Sequence, residues 1–85
     1  RNFANVSRNE FISFIVDVYE KTNMLHPFRE GNGRTQRVFI TQLVRYYGYD
    51  VNFSHVDADE LMIATIHSAN GVKDYLLRVF EKAIN

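Results

Sequence analysis

His26-Pro27-Phe28-Arg29-Glu30-Gly31-Asn32-Gly33-Arg34-Thr35-Gln36-Arg37 is the stretch around which the chain is organised: a loop that runs straight into a helix. The glycines on either side of Asn32 let the backbone turn sharply and come close to a ligand. The helix that begins there aims unsatisfied N–H groups and the positive end of its dipole into the loop. An anion such as phosphate suits that geometry. Arg34 and Arg37 sharpen the reading, because a helix N-terminus favours acids in its first turn and disfavours cations by about 0.3–1 kcal/mol each. A polyphosphate held between two arginines spaced three apart, and so on one face, would reverse that penalty. Glu30 is misplaced as a phosphate ligand but well placed as a carboxylate for Mg²⁺, which takes one or two carboxylates with waters and phosphate oxygens. His26 has the one side chain in the loop that titrates near neutrality, so it is either a general base or a structural loop histidine.

These residues resemble the signature of the Fic (filamentation induced by cAMP) family, His-x-Phe-x-Asp/Glu-Gly-Asn-Gly-Arg-x-x-Arg. His26, Phe28, Glu30, Gly31, Asn32, Gly33, Arg34 and Arg37 match every fixed position. The related Doc branch carries Lys where this chain has Gly33 and transfers phosphate, so Gly33 points to the nucleotidyl-transferring branch. Inside this motif the base reading of His26 outweighs the structural one. Phe28 reads as the anchor that seats the loop in the core.

The chain has 85 residues, enough for one small domain that buries a modest share of its surface. Ten Lys and Arg balance ten Asp and Glu, so no net field argues for nucleic acid or an anionic membrane as partner. Without cysteine, disulfides and thiolate metal sites are excluded, and a reducing compartment is compatible. No apolar run is long enough to span a bilayer, and the first residues lack a signal-peptide core. The chain starts at Arg1 and not at Met, which reads as a fragment or a processed product.

Four helices are expected. Ser7 with Glu10 forms a capping box, and Phe11, Phe14, Ile15 and Val18 recur at helical spacing, giving a first helix over Ser7 to Asn23. Pro27 disfavours helical geometry at His26, with Met24 and Leu25 docking the helix end into the core. The second helix starts near Asn32 or Gly33 and runs to Tyr47, with Gly48 as its stop. Val38, Phe39, Ile40, Leu43, Val44 and Tyr47 make it apolar around more than half its circumference, the pattern of a centrally buried helix. Tyr49 to Phe53 has some β character but no second strand to pair with, and reads as a connector. Asp57 and Glu60 cap a third helix that reaches about Asn70 before Gly71. Tyr75, Leu76, Val79, Phe80, Ala83 and Ile84 make the fourth. The fold class is all-α.

Outside the motif the bland readings weigh more. His55 and His67 suit surface or core-edge positions, and the three histidines lack metal-ligand spacing. Tyr46, Tyr47 and Tyr49 suit a helix end and its rim, or a stacking platform for a base. Asn70 and Tyr75 serve equally as helix stop and core aromatic. By resemblance, the helix pair after the motif helps wall an adenine pocket, which makes both candidates for nucleotide binding.

The resemblance implies the C-terminal part of a Fic fold, residues 1–85 forming a single Fic-type domain that lacks its N-terminal helices and flap hairpin. It implies protein adenylylation: AMP passes from ATP to a Tyr, Thr or Ser hydroxyl of a target protein, with release of pyrophosphate. In that reading His26 is the base and Glu30 holds Mg²⁺. Gly31, Asn32, Gly33, Arg34 and Arg37 bind the phosphates. Transfer of UMP or phosphocholine, or a non-catalytic nucleotide-binding module, are the alternatives. The inhibitory Ser/Thr-x-x-x-Glu-Gly/Asn helix of many relatives is not spelled in this sequence, so control would come from a preceding segment or a separate antitoxin-like protein, as for a toxin. The expected location is the cytoplasm, or a host-cell cytoplasm for a delivered effector.

Overall fold

Residues 7–25 and 32–85 are described by a computed structural model of the chain. The residues expected to carry the base, the anchor and the metal (His26, Phe28 and Glu30), together with Gly31, lie outside the described residues. Four helices follow in order: α1 (Arg8–Leu25), α2 (Asn32–Tyr46), α3 (Ala58–Ala69) and α4 (Asp74–Ala83), with a short 3₁₀ turn at Phe53–His55. The expectation of an all-α chain holds.

Local chemistry places the helix ends. Ser7 Oγ accepts from Glu10 N at 3.1 Å, and Glu10 Oε1 accepts from Ser7 N at 3.4 Å, the reciprocal capping box. Asp57 caps α3 by accepting from Glu60 N at 3.2 Å. Gly48 and Gly71 stop α2 and α3 with φ of 90° and 89°. In both turns the backbone closes as a Schellman motif: Tyr49 N to Val44 O and Gly48 N to Arg45 O, then Val72 N to His67 O and Gly71 N to Ser68 O. α4 ends under Arg8, whose guanidinium donates to the carbonyls of Glu81 and Ile84, both at 2.6 Å, and so satisfies acceptors that the last turn leaves open.

Three expectations need correction. α1 continues two residues beyond Asn23, to Leu25, because Pro27 restricts only the residue directly before it and leaves residues 24 and 25 free to stay helical. The connector after α2 does find a partner: Val51 and Ile84 form an antiparallel bridge, flanked by Asn52 N to Ala83 O at 2.9 Å and Asn85 N to Asp50 O at 2.8 Å. Ile84 therefore leaves α4 and turns extended, and both bridge residues are buried.

The third correction concerns the centre of the fold. Among the described residues the most centrally packed helix is α1, which touches α2, α3 and α4 and buries Phe11, Ile12, Ile15, Val16 and Tyr19 almost completely. α2 lies at the edge. It buries Ile40 and Val44, whereas Val38, Phe39 and Tyr46 remain 53%, 45% and 81% exposed. Among the described residues the main helical contact of α2 is with α1, so an apolar circumference does not translate into burial.

Candidate active site

The start of α2 differs from every other helix start in the fold. α1, α3 and α4 carry acids in their first turns: Glu10, Asp59 and Glu60, and Asp74. α2 carries none and opens instead on Asn32, Gly33 and Arg34. Arg34 and Arg37 are both exposed, and among the described residues neither forms an ion pair. They line one groove of about 430 Å³ with Val38, Thr41, Arg45 and Phe53, a size suited to a small-molecule ligand. Arg45 is engaged elsewhere, its Nε donating to Asp50 Oδ1 at 2.9 Å. Among the described residues the two guanidinium groups at the helix start are thus the cations of the groove without an ion pair, set where the helix dipole alone would oppose them.

A polar cluster fixes this turn onto α1. Gln36 Nε2, with two N–H groups to donate, lies within hydrogen-bond distance of three acceptors, Tyr19 O at 3.2 Å, Thr22 Oγ1 at 2.6 Å and Asn23 Oδ1 at 2.8 Å. Thr22 Oγ1 in turn donates to Tyr19 O at 2.8 Å. Beneath it the Tyr19 hydroxyl lies 3.4 Å from Thr65 Oγ1, which donates to Leu61 O at 2.7 Å. Burial pushes the Tyr19 phenol above its ordinary range, and side-chain hydrogen bonding with Thr65 and Asn23 and the nearby Arg37 charge only partly offset that. The hydroxyl stays protonated and structural.

Sequence reasoning passed over Gln36, which fills a variable position of the signature. The signal was present: residues 36, 40 and 44 step by four along α2, and the last two are core. A polar residue on such a stripe needs partners.

Of the other candidates, Asn70 is exposed and ends α3, its Nδ2 donating to Ile66 O at 2.9 Å. Tyr75 stacks on His67, with ring centroids 4.2 Å apart and planes 23° apart. It lines a second groove, of about 410 Å³, with Glu60, Ile63, Arg78 and Lys82. The two grooves share no lining residue, so Arg34 and Arg37 are brought together while Tyr75 lies apart from them. Tyr47 and Tyr49 pack against Phe11, whereas Tyr46 is exposed. His55 is exposed in the 3₁₀ turn. No group of three or more His, Asp or Glu able to hold a metal occurs among the described residues, and among them no helix is long and apolar enough to cross a membrane.

Known proteins resemble the chain throughout its length. It is 39% identical over 85 residues to a protein adenylyltransferase of Bartonella henselae, covering 99% of this chain and 16% of that protein. It is 40% identical over 76 residues to the protein adenylyltransferase VbhT of Bartonella schoenbuchensis, covering 89% of this chain and 16% of that one. The fold superposes on the VirB-translocated effector BepC of Bartonella tribocorum, crystallised with bound AMPPNP, with a TM-score of 0.86 and 30% identity. That match covers 95% of this chain and 39% of the crystallised one. The chain thus spans a minor part of the length of each of these relatives. The family model described as Fic/DOC matches residues 2–44, which hold the whole loop and nearly all of the helix it opens; the chain belongs to the Fic/DOC family.

Proposed function

We propose that the protein carrying this chain is a protein adenylyltransferase that moves AMP from ATP to a hydroxyl of a target protein. The observation that carries the reading is the pair of exposed arginines in the first two turns of α2, without an ion pair among the described residues, directly after a loop that matches each fixed position of the Fic signature. In this reading Arg34 and Arg37 clamp the β- and γ-phosphates, with Arg37 on the γ-phosphate. Asn32 and the backbone N–H groups of Gly31, Gly33 and Arg34 take the charge that develops on the α-phosphoryl oxygens. His26 accepts the proton of the target hydroxyl as its oxygen bonds to the α-phosphorus and the bond to pyrophosphate breaks. Glu30 supplies the hard oxygen donor that Mg²⁺ takes beside phosphate oxygens. When bound, that ion neutralises charge on the phosphates. Asn70 and Tyr75 enter as secondary candidates for the nucleoside end. The relatives named as VirB-translocated effectors support delivery into a host cell as the place of action.

Mass spectrometry of host-lysate proteins incubated with the full-length protein, Mg²⁺ and a panel of nucleotide donors tests this. A mass gain of AMP, lost in His26→Ala, is the expected result. A gain of UMP or phosphocholine would reassign the transferred group, and no gain with any donor would overturn the activity.

A further inference from the structure

We propose that Gln36 is a positioning residue for the transfer reaction: through its side-chain amide it fixes the first two turns of α2, and with them Arg34 and Arg37, against the last two turns of α1, from which the chain enters the loop bearing His26. The inference deepens the adenylyltransferase reading and rests on it.

Three facts carry it. A single nitrogen, Gln36 Nε2, reaches a backbone carbonyl and two side-chain oxygens of α1, at 3.2, 2.6 and 2.8 Å. The acceptors belong to Tyr19, Thr22 and Asn23, in the last two turns of α1 (Arg8–Leu25). The donor lies between the two arginines in sequence, one helical turn into α2. Residues 26–31 join these two helix ends in sequence, so the separation of the ends fixes the span that the segment carrying His26 has to bridge. The apolar contacts of α2 come further along, at Ile40 and Val44, and cannot set that separation alone. Reacting groups misplaced by about 1 Å can lose on the order of a hundredfold in rate. A residue that acts in this way affects turnover more than nucleotide affinity, because the arginines remain on the same helix and still meet the phosphates.

The test uses the full-length protein and its protein substrate. Gln36→Met keeps the volume and helix propensity and deletes the donor. Thr22→Val deletes one acceptor from the other side. For Gln36→Met, turnover is expected to fall on the order of ten- to a hundredfold while ATP affinity, measured by calorimetry, stays within about threefold. Thr22→Val should fall less, and the double variant should be no slower than Gln36→Met, because the two substitutions break one network. Wild-type turnover in Gln36→Met would overturn the inference. So would an affinity loss as large as the loss in turnover, or effects of the two substitutions that multiply. Should Gln36→Met fail to fold, Thr22→Val, with Gln36 in place, decides by the same split between turnover and affinity. A wild-type protein that transfers nothing would overturn the adenylyltransferase reading itself, an outcome recognisable because the unsubstituted protein shows it.

Discussion

Replacing Phe11 with alanine tests where the fold keeps its stability. Phe11 is fully buried on α1, and its ring stacks on Tyr49 with centroids 4.3 Å apart and planes 12° apart. It meets the edge of Tyr47 at 5.9 Å. Those two tyrosines flank Gly48, so one side chain of α1 holds the turn that ends α2. Truncating a buried phenylalanine costs about 3–5 kcal/mol, and the aromatic pairs, at about 0.5–1.5 kcal/mol each, place this site at the upper end. Domains are stable by roughly 0.05–0.15 kcal/mol per residue, which makes that a large share of the whole for a chain of 85 residues. Amide hydrogen exchange followed by mass spectrometry reads the loss helix by helix in the full-length protein. Peptides from α1 and α2 should exchange faster by on the order of a hundred- to a few-thousandfold. Phe11→Leu, which forfeits chiefly the two aromatic pairings, should cost about 1–3 kcal/mol. Tyr46→Ala, at a residue 81% exposed, should stay within about 0.5 kcal/mol. Acceleration below about tenfold in Phe11→Ala, or an equal effect in Tyr46→Ala, would refute α1 as the hub.

Further outcomes concern the site and the turns. His26→Ala should abolish transfer while calorimetry finds ATP affinity nearly intact; retained turnover would remove His26 as the base. Arg37→Ala should lose more affinity for ATP than for ADP, and equal losses would mean that Arg37 does not read the γ-phosphate. Gly48→Ala should cost about 1–2 kcal/mol in chemical unfolding: its φ is 90° and no atom crowds the site, so the cost is backbone strain alone, and an unchanged midpoint would contradict the Schellman stop. The Arg45 hydrogen bond first, and then the backbone N–H of Val51, holds the Asp50 carboxyl below its usual range. A depressed carboxylate stabilises above its unfolded-state pKa, and the gain disappears as pH falls through the folded value. Asp50→Asn should therefore be the less stable protein at neutral pH, and the gap to wild type should close in acid; a gap that persists there would assign the effect to packing.

What the sequence made legible was local. Ser7 with Glu10, Asp57 with Glu60, and the glycines at 48 and 71 are signals in which residue type and helix end lie within a few positions of each other, and each stands where expected. The signature could likewise be read directly, because its fixed positions all fall between His26 and Arg37. The bridge of Val51 to Ile84 could not: two single residues far apart in sequence leave no alternation to detect, and only the tertiary fold brings them together. The pinning role of Gln36 was hidden for a related reason. A signature reports fixed residue types, whereas the role of Gln36 depends on the three acceptors that α1 sets opposite it.

The misplaced centre of the fold shows why apolarity alone cannot rank helices by burial. α1 and α2 both carry apolar residues well beyond one stripe, but among the described residues α1 packs against three helices whereas the main helical contact of α2 is with α1. Burial is a property of the neighbours as much as of the residues, so the periodicity of α2 located Ile40 and Val44 correctly and said nothing about Val38 and Phe39 on the other side. Val38 also lines the groove of Arg34 and Arg37. There an exposed apolar side chain and two cations without an ion pair among the described residues share one concavity, the combination that a ligand with an anionic end and a less polar body would use. An apolar position on a helix that starts at a binding loop can serve the core or the ligand, and periodicity reads the same for both.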